Sequence, residues 1–247
     1  MLVLSGKPFV TILHVLITIE EKSRKLTGDL KPEAIINLKQ AADEIIVQLA
    51  AMDLPVSKKT VQEMMLGAKT HAALNAAIKA VYQNIALEMD GRKFFGPERR
   101  FEQYYEQAML FGAPVFAAFP SANNDITEAG NCLALERGTA CVMHLMRVVE
   151  VGLKSLASAL SVGQQGDWGG YLREIDKALE ARIKAAGKRT PDEQFYAEVR
   201  VTIDGVRMAW RNPTMHIDNS YSLERAEQIF TAVRGLMQHL ATKLHDP

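Results

Sequence analysis

Apolar residues recur at intervals of three and four along almost the whole chain, whereas strict alternation of apolar and polar residues over five or more positions is scarce. The first pattern is typical of amphipathic helices and the second of strands, so the sequence predicts an all-α protein. In the N-terminal half the pattern predicts helices over about 9–26, 32–52, 58–67, 69–90 and 98–110.

The stretch "FGAPVFAAFPSANND" concentrates Gly, Pro, Ser and Asn between two helical regions. This composition favours turns and links over helix interiors. We therefore predict an N-terminal helical domain over about 1–112 and a second domain over about 120–247. The second domain is expected to be a four-helix bundle, with helices over about 124–160, 170–186, 192–211 and 221–245.

The chain has 247 residues, of which 48% are hydrophobic, so it can bury one large core or two modest ones. Its 29 basic residues equal its 29 Asp and Glu residues. This balance argues against a broad basic face of the kind that holds nucleic acid through many phosphate contacts. Any site for a polyanion must therefore be local.

Cysteine usage and hydropathy both indicate a cytoplasmic protein. Cys132 and Cys141 fall in one predicted helix, nine residues and roughly 13 Å apart, which is too far for a disulfide. The longest apolar run, "FVTILHVLITI", is too short and too polar to span a bilayer. It is followed by "EEKSRK" rather than by a cleavage site, so it does not resemble a signal peptide.

Several common catalytic signatures are absent from the sequence. It has no GxxxxGK[ST], GxGxxG, HExxH, CxxC or GxSxG motif. Its six histidines never lie three or four residues apart, so no single helix presents a histidine pair to a metal. We therefore predict a function that needs neither a metal nor a cofactor.

The stretch "AWRNPTMHID" contains residues suited to phosphate chemistry, Arg211 and His216. Arginine offers a planar, permanently charged fork that matches phosphate oxygens, and histidine exchanges a proton near neutral pH. The two suffice for cleavage of RNA without a metal. A base takes the proton of the ribose 2′-OH, the oxygen attacks the adjacent phosphorus, and a cation stabilises the growing negative charge.

The spacing R-x(4–6)-H is not specific, because it occurs three times: at Arg137 and His144, at Arg211 and His216, and at Arg234 and His239. Local structure favours the second pair. Asn212 precedes Pro213, and the residue before a proline is biased out of the α region. We therefore expect Arg211 to end its helix, so that His216 approaches it from a separate turn.

Upstream of this motif, Arg200, Asp204, Arg207 and Arg211 recur on one face of the predicted helix. Three arginines directed at one region form a candidate anion site. The alternative is a solvated face of ion pairs within the helix. Arg211 could also cap the end of its helix, with His216 as a helix-entry residue.

The segment "RNPTMH", placed before a last amphipathic helix in a predicted four-helix bundle, resembles the R-x(4–6)-H motif of the HEPN superfamily. There the motif often has Asn or Asp after the Arg and marks metal-independent ribonucleases. The run "FPSANNDITEAGNCLALERGTACVMHLMRVVEVGLKSLA" is also similar to a bacterial and phage HEPN-like group. The resemblance covers about residues 115–247.

The resemblance implies a role for each residue of the motif. It places Arg211 on the phosphate, His216 in acid and base work, and Asn212 in orienting the pair. Arg207 and Arg200 would add contacts to the substrate. HEPN domains usually form homodimers in which two motifs face one cleft, so one His216 would act as base and that of a second copy as acid.

A polar residue on the first helix of the bundle often completes a HEPN site. Glu150 is the preferred candidate here, ahead of Arg147 and His144, although all three could instead form a structural polar cluster. Toxins of the superfamily that are silenced by modification carry Tyr two residues after the His. Asp218 stands at that position, which argues against control by a nucleotidylating partner.

The sequence thus predicts a metal-independent endoribonuclease of HEPN type, with a role in phage defence or a toxin system and with RNA or a nucleotide as its partner. The main alternative is a non-catalytic HEPN-like module that binds a nucleotide, RNA or a protein. A third is an oligomerising helical adaptor. Trp168 and Trp210 are expected to be core anchors in every case.

Overall fold

The computed structural model describes residues 6–93, 96–214, 216 and 219–246. Within these residues all regular secondary structure is helical, apart from a single antiparallel bridge between Asp29 and Thr70. The all-α prediction is therefore confirmed. The chain divides into two compact units, with the division between residues 94 and 95.

The first unit contains α1 (Lys7–Ser23), α2 (Pro32–Ala51), α3 (Pro55–Thr60) with a π-helical turn after it (Val61–Met65), and α4 (His71–Met89). Proline occupies the first turn of α1, α2 and α3, where its missing N–H costs no helical hydrogen bond. The Thr70 hydroxyl accepts the N–H of Ala73 and caps α4. Apolar residues from these helices, among them Leu16, Ile45 and Ile78, form the core.

The second unit contains α5 (Ala113–Ala118), α6 (Asn123–Ala134), α7 (Gly138–Ala159), α8 (Trp168–Ala186), α9 (Pro191–Val206), a π-helical turn (Arg207–Arg211), α10 (Asn212–Thr214) and α11 (Leu223–Leu240). Helix α7 is central, because it packs against α6, α8, α9 and α11. Its side chains Leu145, Val149 and Leu153 are fully buried.

The prediction of one long helix over 124–160 is wrong. The chain turns between α6 and α7 at Glu136, which has a φ of 59°, and the two helices pack against each other. A Cβ on Gly138 would lie 2.5 Å from the Tyr221 carbonyl oxygen, so only glycine permits this approach. The apolar periodicity concealed the turn because α6 and α7 both face the same core. Cys132 and Cys141 accordingly lie on different helices, as free thiols.

The stretch predicted as a link is folded into the second unit. It forms α5 and a 3₁₀ turn (Pro120–Ala122), and it buries Val115 and Phe119 completely. Apolar side chains spaced within this Gly- and Pro-containing stretch therefore outweigh its turn-like composition.

The helix predicted over 98–110 is also wrong, since that segment contains only a 3₁₀ turn (Glu102–Tyr104). It is anchored by aromatic side chains instead. Tyr104 and Phe111 pack edge-to-face on Phe230, with ring centroids 5.3 Å and 5.2 Å away, and Phe101 is buried beside them. This segment therefore belongs to the second unit, whereas the predicted first domain extended to residue 112.

Among the helices of the described ranges, none is both long and apolar enough to cross a membrane.

The packing of α6 predicts that Gly130→Ala destabilises the second unit. An added Cβ would lie 2.6 Å from the backbone oxygen of Tyr104 and 2.3 Å from the side chain of Leu110. Such overpacking costs about 1–3 kcal/mol. Urea unfolding followed by tryptophan fluorescence measures it, because Trp168 and Trp210 both belong to this unit.

Gly235→Ala is the matched control. Gly235 lies in α11, and a Cβ there meets nothing within 4 Å, so we expect about 0.4–1 kcal/mol of added stability. A Gly130→Ala variant that is as stable as Gly235→Ala would contradict the close packing of α6 at Gly130.

Candidate functional site

We call the helix that carries the motif the motif helix; it comprises α9, the π-helical turn and α10, so it does not end at Arg211. It continues through the π-helical turn, in which the N–H of Asn212 donates to the carbonyl of Arg207, and then through α10. Asn212 is helical, with φ −63° and ψ −50°, so the expected break before Pro213 is wrong. A proline ring in a regular helix clashes with the carbonyl four residues earlier. We attribute its acceptance here to the wider π-turn directly before it.

The end of this helix is tied to the chain that follows it. The hydroxyls of Thr214 and Tyr221 both lie within hydrogen-bonding distance of the Trp210 carbonyl oxygen, at 2.6 Å and 3.2 Å. The N–H of Tyr221 in turn donates to the hydroxyl of Thr139 in the first turn of α7. These bonds anchor both ends of the turn that contains His216.

His216 lies in this turn with an exposed side chain. Its backbone N–H donates to Pro213, and its carbonyl accepts from Asn219. Its ring has no hydrogen bond or ion pair with any residue that the structure describes. Asp218, which stands two residues after His216, lies outside the described residues.

Arg211 lies against Trp168, the first residue of α8. The guanidinium carbon is 5.9 Å from the centroid of the indole, within the range of a cation–π contact. Trp168 is buried, and its Nε1–H donates to a carboxylate oxygen of Glu150 at 3.2 Å. The other oxygen of Glu150 pairs with Lys154 at 2.8 Å. Trp168 thereby joins α7, α8 and the motif helix at one point.

Glu150 is an anion at neutral pH. Burial raises the pKa of its carboxyl, but hydrogen bonds from Lys154 and Trp168 and the charges of Lys154 and Arg211 outweigh burial, so the pKa lies below its ordinary value. An ionised carboxylate does not contact a phosphate favourably. Within the described residues the Glu150 carboxylate contacts Trp168 and Lys154, and its role as a substrate contact stays a prediction.

The two other arginines of the stripe are neutralised within the chain. Arg200 pairs with Asp176 at 2.6 Å and with Asp204 at 3.0 Å, and Arg207 pairs with Asp204 at 2.8 Å. These bonds connect α9 to α8 and match the alternative of an ion-pair face. In the described part of the chain Arg211 is the one arginine of the stripe without an ion pair.

The start of α8 brings further positively charged groups close to Trp168, and the sequence patterns above did not indicate them. The Asp167 side chain accepts the N–H of Gly170 and caps the helix. A Cβ on Gly169 would lie 3.6 Å from Arg173 and 3.8 Å from Arg207, so both guanidinium groups lie beside this first turn. The N-terminus of a helix is electropositive, and although the Asp167 carboxylate caps this one, Arg173, which is exposed, adds a cation. The signal in the sequence was "GDWGG", an N-cap followed by glycines.

His144 and Arg147 lie away from Arg211, on Asp125 of α6. One oxygen of this buried carboxylate accepts from Arg147 Nε and contacts His144 Nδ1, each at 2.8 Å. Both residues of α7 thus join α6 to α7, as expected for a structural polar cluster. The side chain of Asn212 makes no hydrogen bond within the described residues, so the structure shows no contact through which it orients Arg211 or His216.

Metal binding and a reactive thiol each have needs with which the described residues can be compared. In the described ranges no three His, Cys, Asp or Glu side chains are grouped closely enough to hold a metal ion. Burial raises the pKa of the Cys141 thiol to about 12, so it is not a nucleophile at neutral pH. Comparison of the chain with protein families, curated proteins and solved structures found no match.

The charge of Glu150 predicts a pH-dependent stability. Because its folded pKa is lowered, its ionised form stabilises the protein above the ordinary value of 4.5, and this contribution is lost as the pH falls through the folded pKa. Glu150→Gln should therefore unfold at lower urea than the wild type at pH 7. The difference should shrink below pH 4.5.

Glu180→Gln serves as the control, because Glu180 is exposed on α8 and has no ion pair in the described part of the chain. A difference between Glu150→Gln and wild type that stays constant from neutral to acid pH would show that the carboxylate charge is not what stabilises this junction.

Proposed function

We propose that the second unit is a metal-independent endoribonuclease of HEPN type, with Arg211 and His216 as its catalytic residues. The observation that carries the proposal is the state of these two side chains. Arg211 lies on the indole of Trp168 and His216 is exposed five residues later, and neither side chain has an ion pair with any of the described residues. A cation and a proton carrier are thus both available at one helix end.

The proposed reaction is an internal transfer of a phosphoryl group. His216 takes the proton of the ribose 2′-OH, the 2′ oxygen forms a bond to phosphorus, and the bond to the 5′ oxygen breaks. The leaving 5′ oxygen receives a proton. In a homodimer the acid is His216 of a second copy, as the HEPN resemblance implies. The products are a 2′,3′-cyclic phosphate and a 5′-hydroxyl.

Arg211 stabilises the charge that develops on the phosphorane. The indole face and the negative charge of Glu150 favour this position of the guanidinium, and within the described residues its hydrogen-bond donors are not engaged in an ion pair. Arg173 lies at the start of α8, because its side chain and that of Arg207 both lie next to Gly169, the residue that follows Trp168. A preorganised cation of this kind typically contributes 10²–10³-fold to a rate, by analogy with oxyanion donors.

A non-catalytic module that binds a nucleotide, a short RNA or a protein partner is the second candidate. Arg200 and Arg207 both pair with Asp204, so two of the three predicted phosphate contacts are already neutralised. This pairing favours a binding module over an enzyme. The remaining cations suit a few phosphates and do not form an extended surface. The biological setting of either candidate, phage defence or a toxin system, rests on the resemblance alone.

Incubation of the purified chain with mixed RNA in the presence of a chelator tests the proposal. We expect cleavage with 2′,3′-cyclic phosphate ends, and we expect Arg211→Ala and His216→Ala each to reduce the rate at least about 10²-fold. His239→Ala is the matched control, since His239 belongs to the same R-x(4–6)-H spacing but is an exposed residue of α11. It should cleave as the wild type does.

Cleavage that survives in His216→Ala would rule out its catalytic role. If the wild type does not cleave but binds RNA in a way that needs Arg211, the second candidate is correct and the enzymatic proposal is not.

A further inference from the structure

The first unit contains a cavity of about 510 Å³ between α1, α2 and the start of α4. This volume is within the range of sites that hold small molecules. The cavity opens to solvent between α1 and α2, and residues of the second unit are not among those that line it. We call it the α1–α2 groove.

The walls of the α1–α2 groove are mostly apolar. Leu30, Leu38 and Leu74 are buried side chains that line it, and Val15 and Ile19 of α1 line the opposite wall in half-buried positions. Burial of an apolar ligand here removes apolar surface from water on both sides of the contact. The groove therefore favours a ligand with a hydrocarbon body.

Two buried polar side chains lie at the floor of the groove. Ser23 Oγ is 3.0 Å from His71 Nδ1, and the two residues are 3% and 9% exposed. His71 Nε2 has no hydrogen-bond partner in residues 6–93. When the Ser23 hydroxyl donates to Nδ1, the ring proton is on Nε2, which becomes a donor available to a ligand.

The backbone fixes this end of the groove. The N–H of His71 donates to Gly28, whose φ is +85°, and the N–H of Leu30 donates to Lys69. The loop after α1 is thereby held against the first turn of α4. The N-terminal end of α4 is electropositive, and Lys22, which lines the groove, has no ion pair in the described part of this unit.

The opposite end of the groove has a different charge. His14 and Glu44 line it there, and neither side chain has an ion pair among residues 6–93. His14 and Lys22 are eight residues apart on α1, which corresponds to roughly 12 Å along the helix. The groove thus has donors and a cation at the Lys22 end and a carboxylate far from them.

We propose that the α1–α2 groove binds a small amphipathic carboxylate. The carboxylate lies at the Lys22 end, where it accepts hydrogen bonds from Lys22 and from His71 Nε2. The hydrocarbon body lies along Val15, Ile19 and Leu38 toward Ala41. The repulsion from Glu44 at the far end sets this orientation, since a carboxylate placed there would face a like charge.

Calorimetric titration of the full chain with decanoate, below its aggregation concentration, tests the proposal. We expect one saturable site, and decanol and decyltrimethylammonium should bind about tenfold more weakly or worse because they lack the anionic head. Lys22→Gln should weaken decanoate about tenfold, whereas Lys39→Gln, an exposed lysine on α2 outside the groove, should not.

Ala41→Phe fills the groove from a half-buried position and should abolish binding, and Ala50→Phe, exposed on the same helix, is its control. Decanoate that does not bind, or that binds equally to wild type and Ala41→Phe, would overturn the proposal. Equal affinities for decanoate, decanol and decyltrimethylammonium would overturn the carboxylate head. Lys22→Gln keeps the test valid if Ala41→Phe does not fold.

Discussion

The candidate site of the second unit depends on the contacts of one buried indole. Trp168 donates its N–H to Glu150 on α7 and presents its face to Arg211 at the end of the motif helix. Trp168 is buried and its indole N–H donates to Glu150, so loss of this acceptor would leave a buried donor unsatisfied. The same carboxylate attracts Arg211, so a packing requirement of the core also positions the cation of the site.

The π-helical turn before Pro213 is the second determinant of the site. It lets the motif helix continue past Arg211 to Thr214, whereas a break at Asn212 would have made Arg211 the last residue of that helix. Thr214 and Tyr221 then close the helix end through the Trp210 carbonyl. His216 follows in a turn that is anchored on both sides but leaves its ring in solvent.

The apolar pattern was sufficient to predict an all-α fold, because each helix must bury one face. It could not locate the turn at Glu136, since α6 and α7 continue the same pattern against the same core. The spacing of Arg200, Asp204 and Arg207 left an ion-pair face open as an alternative, but it could not show that Asp176 of another helix also pairs with Arg200. Glu150 and Arg211, both of which were predicted as site residues, each contact Trp168. The indole between them was expected only as a core residue.

Phosphate binding at Arg211, which lies on Trp168 and has no ion pair with the described residues, can be followed directly by nuclear magnetic resonance of the labelled chain during titration with uridine 3′-monophosphate. We expect saturable shifts of the Arg211 guanidinium and Trp168 indole N–H signals together, with the Arg200 signals unchanged and with no response in Arg211→Ala. Shifts confined to Arg200 and Arg207, or an unchanged Arg211 at saturating nucleotide, would contradict it.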